Sequence, residues 1–197
     1  MKSWLQNGED VHQWTGIMVA EKLGVSHEDV EFAERLHKLR GSPEDIEPID
    51  FLRKCIRFLG KQLNFAIIYG SGSAKAGAVV REHLAIELDD PTKPTQLYHE
   101  TFPGVRQFQW ETSQFLRDRG FVTTAYGYHL VPPPDRPHAA VDYRIQGTAG
   151  QVTGKAMIRA HEYLRDWSGM NLVLEVHDEI VFELRRTRLI PLTKGHK

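Results

Sequence analysis

Residues 51–70 read FLRKCIRFLGKQLNFAIIYG, and the spacing within this stretch decides the fold around it. At about 100° per residue, Leu52, Ile56, Leu59 and Leu63 fall within about 60° of one another, while Arg57, Lys61 and Phe65 lie on the opposite side. This predicts an amphipathic helix from about Phe51 to Tyr69 with one face in a core. On the other face, two cations and then an aromatic at four-residue spacing can hold phosphate oxygens at one end and stack a base or sugar at the other. The same pattern also describes an ordinary amphipathic helix with a solvated basic face, so the spacing alone leaves both open.

Working outward, residues 10–23 carry apolar residues at helical intervals behind Asp10, a potential cap, and predict a short helix. Residues 25–50 are acidic, with Ser26 and Ser42 as candidate caps and Pro43 and Pro48 as breaks. They predict a small helical insertion with the composition of a solvated surface segment rather than of a core element. Helices are expected over about 74–88 and about 96–119, the latter entered through FPGVRQF. GFVTTAYGYHLVP reads as a strand pair around a glycine turn, closed by PPPDRP. A long helix from about Ala139 to Trp167 then precedes LVLEV and IVFEL, two β-rich runs joined by His177, Asp178 and Glu179. The expected class is α+β: a mostly helical region, then a small antiparallel hairpin.

The 197 residues suffice for one substantial core or two small lobes. With 25 Lys and Arg against 26 Asp and Glu, the net charge of -1 gives no global attraction to nucleic acid, so any such contact must be local. Cys55 is the single cysteine, which rules out an internal disulfide or an all-cysteine zinc site and suits a reducing, cytoplasmic setting. The sequence has neither a signal-like start nor a run of eighteen apolar residues, and is read as neither secreted nor membrane-embedded.

The full string Arg57-x3-Lys61-x2-Asn64-Phe65-x3-Tyr69-Gly70 resembles the motif B helix of family A (DNA polymerase I-like) DNA polymerases. The resemblance implies that Arg57 and Lys61 grip an incoming triphosphate, that Phe65 packs on its sugar and base, and that Tyr69 borders the templating base. Ala66 stands where the family usually has Gly. Asp10-Val11-His12 with Thr15 resembles the block preceding motif B, which would bring His12 to the triphosphate. Tyr98-x3-Phe102-Pro103-Gly104-Val105 and Gly120-Phe121-Val122-x3-Tyr126-Gly127 resemble the scaffold leaving the fingers. Tyr128 and His129 replace arginines usual after that glycine. Gln146-Gly147-Thr148-Ala149 resembles the helix against the minor groove at the primer terminus, where Gln146 can read acceptors common to all correct pairs. His138 and Asp142 stand where the family has Arg and Asn.

Val176-His177-Asp178-Glu179 then resembles motif C, implying Asp178 as a metal-binding catalytic carboxylate, His177 as a primer contact and Glu179 as an assisting acid. Magnesium, as two ions in the completed site, is the implied cofactor. Primer-template DNA and deoxynucleoside triphosphates are the implied partners. Residues 10–120 are expected to be mainly fingers, 121–183 partial palm, and 184–197 a basic tail. The second acid of the family comes from motif A. Only nine residues precede Asp10 and none forms such a strand, so a second polypeptide or missing sequence is expected to supply motif A and the thumb. Two other readings are a non-catalytic DNA- or nucleotide-binding remnant and a two-metal nuclease using Asp178 and Glu179, though the nuclease leaves the Arg57–Tyr69 pattern unexplained.

Overall fold

Asp10 opens the fold as a helix cap: its carboxylate accepts from the backbone N–H groups of His12 (2.9 Å) and Gln13 (3.2 Å), satisfying two donors that a helix start leaves open. Helix α1 follows over Val11–Lys22. Next come α2 (Val30–Arg40), α3 (Pro48–Ile68), α4 (Ser73–Leu84), α5 (Lys93–Thr101) and α6 (Pro103–Arg119). Strands β1 (Val122–Thr123) and β2 (His129–Leu130), helix α7 (Ala140–Leu164) and strands β3 (Met170–Val176) and β4 (Glu179–Leu184) complete the order. The computed structural model describes residues 8, 10–41, 45–165, 169–177 and 179–184. The fold is α+β, and the chain forms two compact units, residues up to 120 with 132–142, and residues 121–131 with those from 143 onward.

In the first unit, α3 is the central beam. Leu52, Ile56, Leu59 and Leu63 are fully buried, as their shared face predicted. Against them pack Val19 and Ala20 of α1, Phe32, Ala33 and Leu36 of α2, Val79, Val80 and Leu84 of α4, and Tyr98 of α5. Each large side chain so buried contributes about 1.5–3 kcal/mol. The crossing of α1 and α3 is close because both helices carry glycine there. A Cβ on Gly16 would collide with the carbonyl of Ile56, and one on Gly60 with the carbonyl of His12.

Several elements depart from expectation, including the helix expected over about 74–88, which ends at Leu84 where Ala85 takes φ +52°. The 25–50 insertion is a core element, with Phe32, Ala33 and Leu36 buried. Its cap is Asp29, which accepts from Phe32 N–H at 2.9 Å, while Ser26 accepts from Glu28 N–H in the preceding turn. Ser42 and Pro43 lie outside the described residues. Pro48 starts α3 at its first turn instead of breaking it, because the first helical N–H is unpaired in any case. The single helix expected over 96–119 is two helices: Pro103 lacks an N–H and pushes Phe102 out of the helical region, to φ -121° and ψ 65°.

In the second unit, Thr123 pairs with His129 and Val122 with Leu130 around a turn containing Gly127, whose φ is +82°. β3 and β4 pair antiparallel from Met170↔Leu184 to Val176↔Glu179, with an irregularity between Leu172 and Leu174. Glu179 thus belongs to a strand instead of the connection in which it was expected. His177, which follows β3, takes φ +58°, a left-handed conformation found in turns. Among the described residues, no helix is long and apolar enough to cross a membrane. Most of the proposed basic tail, residues 185–197, lies outside the described residues.

One buried group makes the first unit acid-sensitive. His83 of α4 is buried with its ring stacked on Phe58 (6.4 Å, 16°), and its Nε2 has no hydrogen-bond partner among the described residues. Burial pushes the imidazole below its ordinary value and the charge of Arg40 adds to this, opposed in part by Glu82. The unfolded chain therefore takes up this proton near pH ~6.5 while the folded chain resists it, so stability falls as pH drops below that value. His99 is displaced in the same direction, by burial and by Arg106. Thermal melts from about pH 7.5 to about pH 5.5 should show a falling midpoint, with a smaller fall in His83→Gln. An equal fall in both proteins would remove His83 as the cause.

Candidate functional site

The solvent face of α3 does not stay open: α4 returns beside it, and the two enclose a groove of about 440 Å³. Phe58, Lys61, Gln62, Phe65, Ala66 and Tyr69 line it from α3 and its C-cap, with Ser71, Lys75 and Val79 from the following turn and α4. Phe65 is 45% exposed and Phe58 47%, so two Phe rings of α3 face this groove instead of the core. The Phe65 ring stacks against Tyr69 at 5.9 Å and 29°, and the ring of His12 lies 6.0 Å away at 36°. Ala66 is buried beneath them at 6% exposure. Gln109 of α6 donates to the carbonyls of Ile67 and Ile68, satisfying acceptors at the end of α3.

Of the residues expected to act together, Lys61, Phe65 and Tyr69 share this groove. Arg57 is one turn away, and its Nε donates to Asp10 Oδ2 at 2.6 Å. It lines a second hollow of about 510 Å³ with Gln13, Asp50, Arg53 and Lys54 among others. Asp10 therefore does two things, capping α1 and pairing with Arg57. Burial pushes its carboxyl up, but hydrogen bonds from Arg57 and the amides of Gln13 and His12, with the guanidinium's charge, outweigh that and hold it below its ordinary value. His12 is anchored from behind by Asn64 of α3, whose Nδ2 lies 3.0 Å from His12 Nδ1.

In the second unit, the Gln146-Gly147-Thr148-Ala149 segment lies on α7, with Gln146 exposed. Four contacts tie this helix to the β1–β2 hairpin: Arg144 Nε donates to Thr123 O (3.1 Å), Ala125 N–H to Thr148 Oγ1 (3.0 Å) and Thr124 Oγ1 to Gln151 Oε1 (2.7 Å), and Lys155 Nζ sits 3.7 Å over the ring of Tyr126. Gly147 permits the approach, since a Cβ there would meet the side chains of Leu130 (2.5 Å) and Thr124 (3.1 Å). His177 occupies the hairpin connection and Glu179 is exposed at the head of β4. Asp178 lies outside the described residues. Among the described residues no group of three or more His, Cys, Asp or Glu side chains gathers to hold a metal ion.

Lys75 and Ser71 escape the sequence reading because they reach the groove only through the turn after Gly70. Asn64 and Tyr98 were legible only as part of a motif string and as scaffold. Their hydrogen bonds span 52 and 34 residues of chain, which no local pattern encodes.

A family model described as DNA polymerase family A matches residues 46–195, a span that contains α3 and both strands of the β3–β4 hairpin. The chain belongs to that family. DNA polymerase I of Rhizobium leguminosarum is 28% identical over 162 residues, covering 76% of this chain and 16% of that protein. The DNA polymerase of Mycobacterium phage L5 is 33% identical over 133 residues, covering 65% of this chain and 20% of that protein. The chain thus spans at most a fifth of the length of these two curated relatives. In fold it is similar to the polymerase domain of Pol1 from M. smegmatis, solved in complex with DNA primer-template and dNTP: the TM-score is 0.63 over 91% of this chain and 29% of that one, with 21% identity.

Proposed function

We propose that this chain is the fingers, over about residues 10–120, and part of the palm, over about 121–183, of a DNA-directed DNA polymerase, and that the α3–α4 groove takes the incoming deoxynucleoside triphosphate. The observation that carries this reading is the convergence of Lys61, Phe65 and Tyr69 in a groove of about 440 Å³, within the size range of small-molecule sites. Lys61 donates charge-assisted hydrogen bonds to phosphate oxygens, and Lys75 on the opposite wall adds a second cation. Phe65 packs on the sugar and base, and Tyr69 borders the templating base. His12 contributes a ring N–H to the triphosphate, and Arg57 joins when a phosphate oxygen replaces Asp10 as its partner. In the second unit, Gln146 and His177 contact primer-template DNA.

The reaction is template-directed addition of deoxynucleotides to a primer 3′ end. It requires carboxylates that hold two divalent cations about 3.5–4 Å apart, and when bound these ions offset charge on the attacking and leaving oxygens. Asp178 and Glu179 offer oxygen ligands from the hairpin, the donor type magnesium prefers. The remaining carboxylates come from outside these 197 residues, on the same polypeptide or a second one that also carries the thumb.

The test is titration of the full chain with a deoxynucleoside triphosphate and with the bare deoxynucleoside. The triphosphate should bind far more tightly, and Phe65→Ala should weaken both; equal affinity for the two ligands would overturn the reading. The Asp10–Arg57 pair adds a separate expectation. Asp10→Asn keeps a good N-cap, because Asn ranks with Asp there, but removes the charge that holds Arg57. Triphosphate affinity should rise a few-fold with little change in melting temperature. A fall in affinity would mean that Asp10 orients Arg57 for the ligand instead of competing with it.

A further inference from the structure

Thr15, Asn64 and Tyr98 form a buried polar cluster that joins α1, α3 and α5, with the half-buried His12 at its edge. The side chain of Thr15 is 0% exposed, and its hydroxyl donates to Val11 O at 2.8 Å, so its oxygen is left to accept. Asn64 Nδ2 lies 3.3 Å from that oxygen. The Tyr98 hydroxyl, on a residue 2% exposed, donates to Asn64 Oδ1 at 2.8 Å. Burial pushes this phenol up, so it keeps its proton.

The direction of each bond follows. Asn64 Oδ1 is the hydrogen-bond acceptor that the described residues offer Tyr98. Turning the amide over would set an N–H group against the phenol and leave a buried O–H with no acceptor, which is costly. The amide is therefore locked with its nitrogen toward His12, 3.0 Å from Nδ1. A donor facing Nδ1 requires a lone pair on that nitrogen and leaves the proton of the neutral ring on Nε2.

We propose that Asn64 and Tyr98 are positioning residues that fix His12 in the Nε2–H tautomer, so that the ring offers a hydrogen-bond donor rather than a lone pair to an anionic ligand. The tautomer follows from the cluster alone; that the donor serves a triphosphate rests on the reading given above. The lock matters because the opposite tautomer would set a nitrogen lone pair against a phosphate oxygen, which is repulsive.

The experiment uses the full chain with ¹⁵N-labelled histidine, with long-range proton–nitrogen spectra recorded at a pH alkaline enough for neutral imidazole. His12→Gln identifies the His12 signals. In the native chain Nδ1 should show the shift of an unprotonated ring nitrogen and Nε2 that of a protonated one. Asn64→Asp keeps the shape but turns the group facing Nδ1 into an acceptor, so Nδ1 should take the protonated shift. Tyr98→Phe, the second variant, should give a mixture because the amide can then turn over. A native Nδ1 with the protonated shift, or an Nδ1 unchanged in both folded variants, would overturn the proposal. Triphosphate titration of His12→Gln is the separate arm. Unchanged affinity there, with the native tautomer as stated, would sink the placement of His12 at the triphosphate and leave the tautomer lock standing.

Discussion

Lys61→Ala is expected to weaken deoxynucleoside triphosphate binding by about 10- to 150-fold while leaving duplex DNA binding unchanged. A hydrogen bond to a charged group is worth about 1.5–3 kcal/mol, and each ~1.4 kcal/mol is a factor of ten in affinity. Lys61 is exposed and lines the groove beside Phe65, so its replacement removes the cation proposed to hold phosphate without opening the core. Lys54 is the control: it is exposed on the same helix but lines the other hollow, so Lys54→Ala should leave triphosphate affinity within about two-fold if exposed charges at a distance are screened. Titration of triphosphate and of duplex separates the cases. Equal losses for the two ligands, or equal losses in the two variants, would mean that the basic face acts only as a general counter-charge.

Gly60→Val should destabilise the first unit by about 3 kcal/mol or more, at the upper end of what overpacking costs. The atoms that the new side chain meets are backbone: the carbonyl of His12 and the N and Cα of Gly16. A flexible side chain could turn aside, but two helices can only move apart, and Val19, Ala20 and Ile56 sit in the core beside that crossing. Gly154 of α7 gives the contrast, because nothing lies within 4 Å of a Cβ placed there. Gly154→Ala should instead stabilise its helix by up to about 1 kcal/mol, the propensity difference between the two residues. Chemical denaturation of both variants decides the matter, and a Gly60→Val chain as stable as the native one would show that the crossing relaxes freely.

What could be read from the sequence was whatever one element carries by itself. The two faces of α3 follow from the 3.6-residue period, and the core face was legible residue by residue as Leu52, Ile56, Leu59 and Leu63. The hairpin followed from two apolar runs around a polar connection. Boundaries set by competition between neighbours were harder: Asp29 lies nearer the first turn than Ser26 and takes the cap, and Pro103 splits a stretch whose periodicity is continuous. At the groove, Lys61, Phe65 and Tyr69 were readable because one helix aligns them. Lys75 was not, since only the packing of α4 on α3 brings it across. Arg57 was expected at the phosphates, and its pairing with Asp10 depends on the crossing of α1 over α3, which two glycines set without any apolar or charged signature.

Because α3 turns its core and its groove to opposite sides of one continuous helix, it tolerates exchange of residues far better than change of length. One residue inserted between Leu59 and Lys61 would swing Lys61, Phe65 and Tyr69 by about 100° relative to Leu52 and Ile56, turning Phe65 toward the core, Lys61 to its edge and Leu63 out of it. No nearby compensation restores both faces short of a whole turn, about 3.6 residues. In polypeptides that keep this groove, insertions and deletions should therefore fall in the segments before Pro48 and after Leu84, while the interval from Leu52 to Tyr69 stays constant in count even where its residues differ.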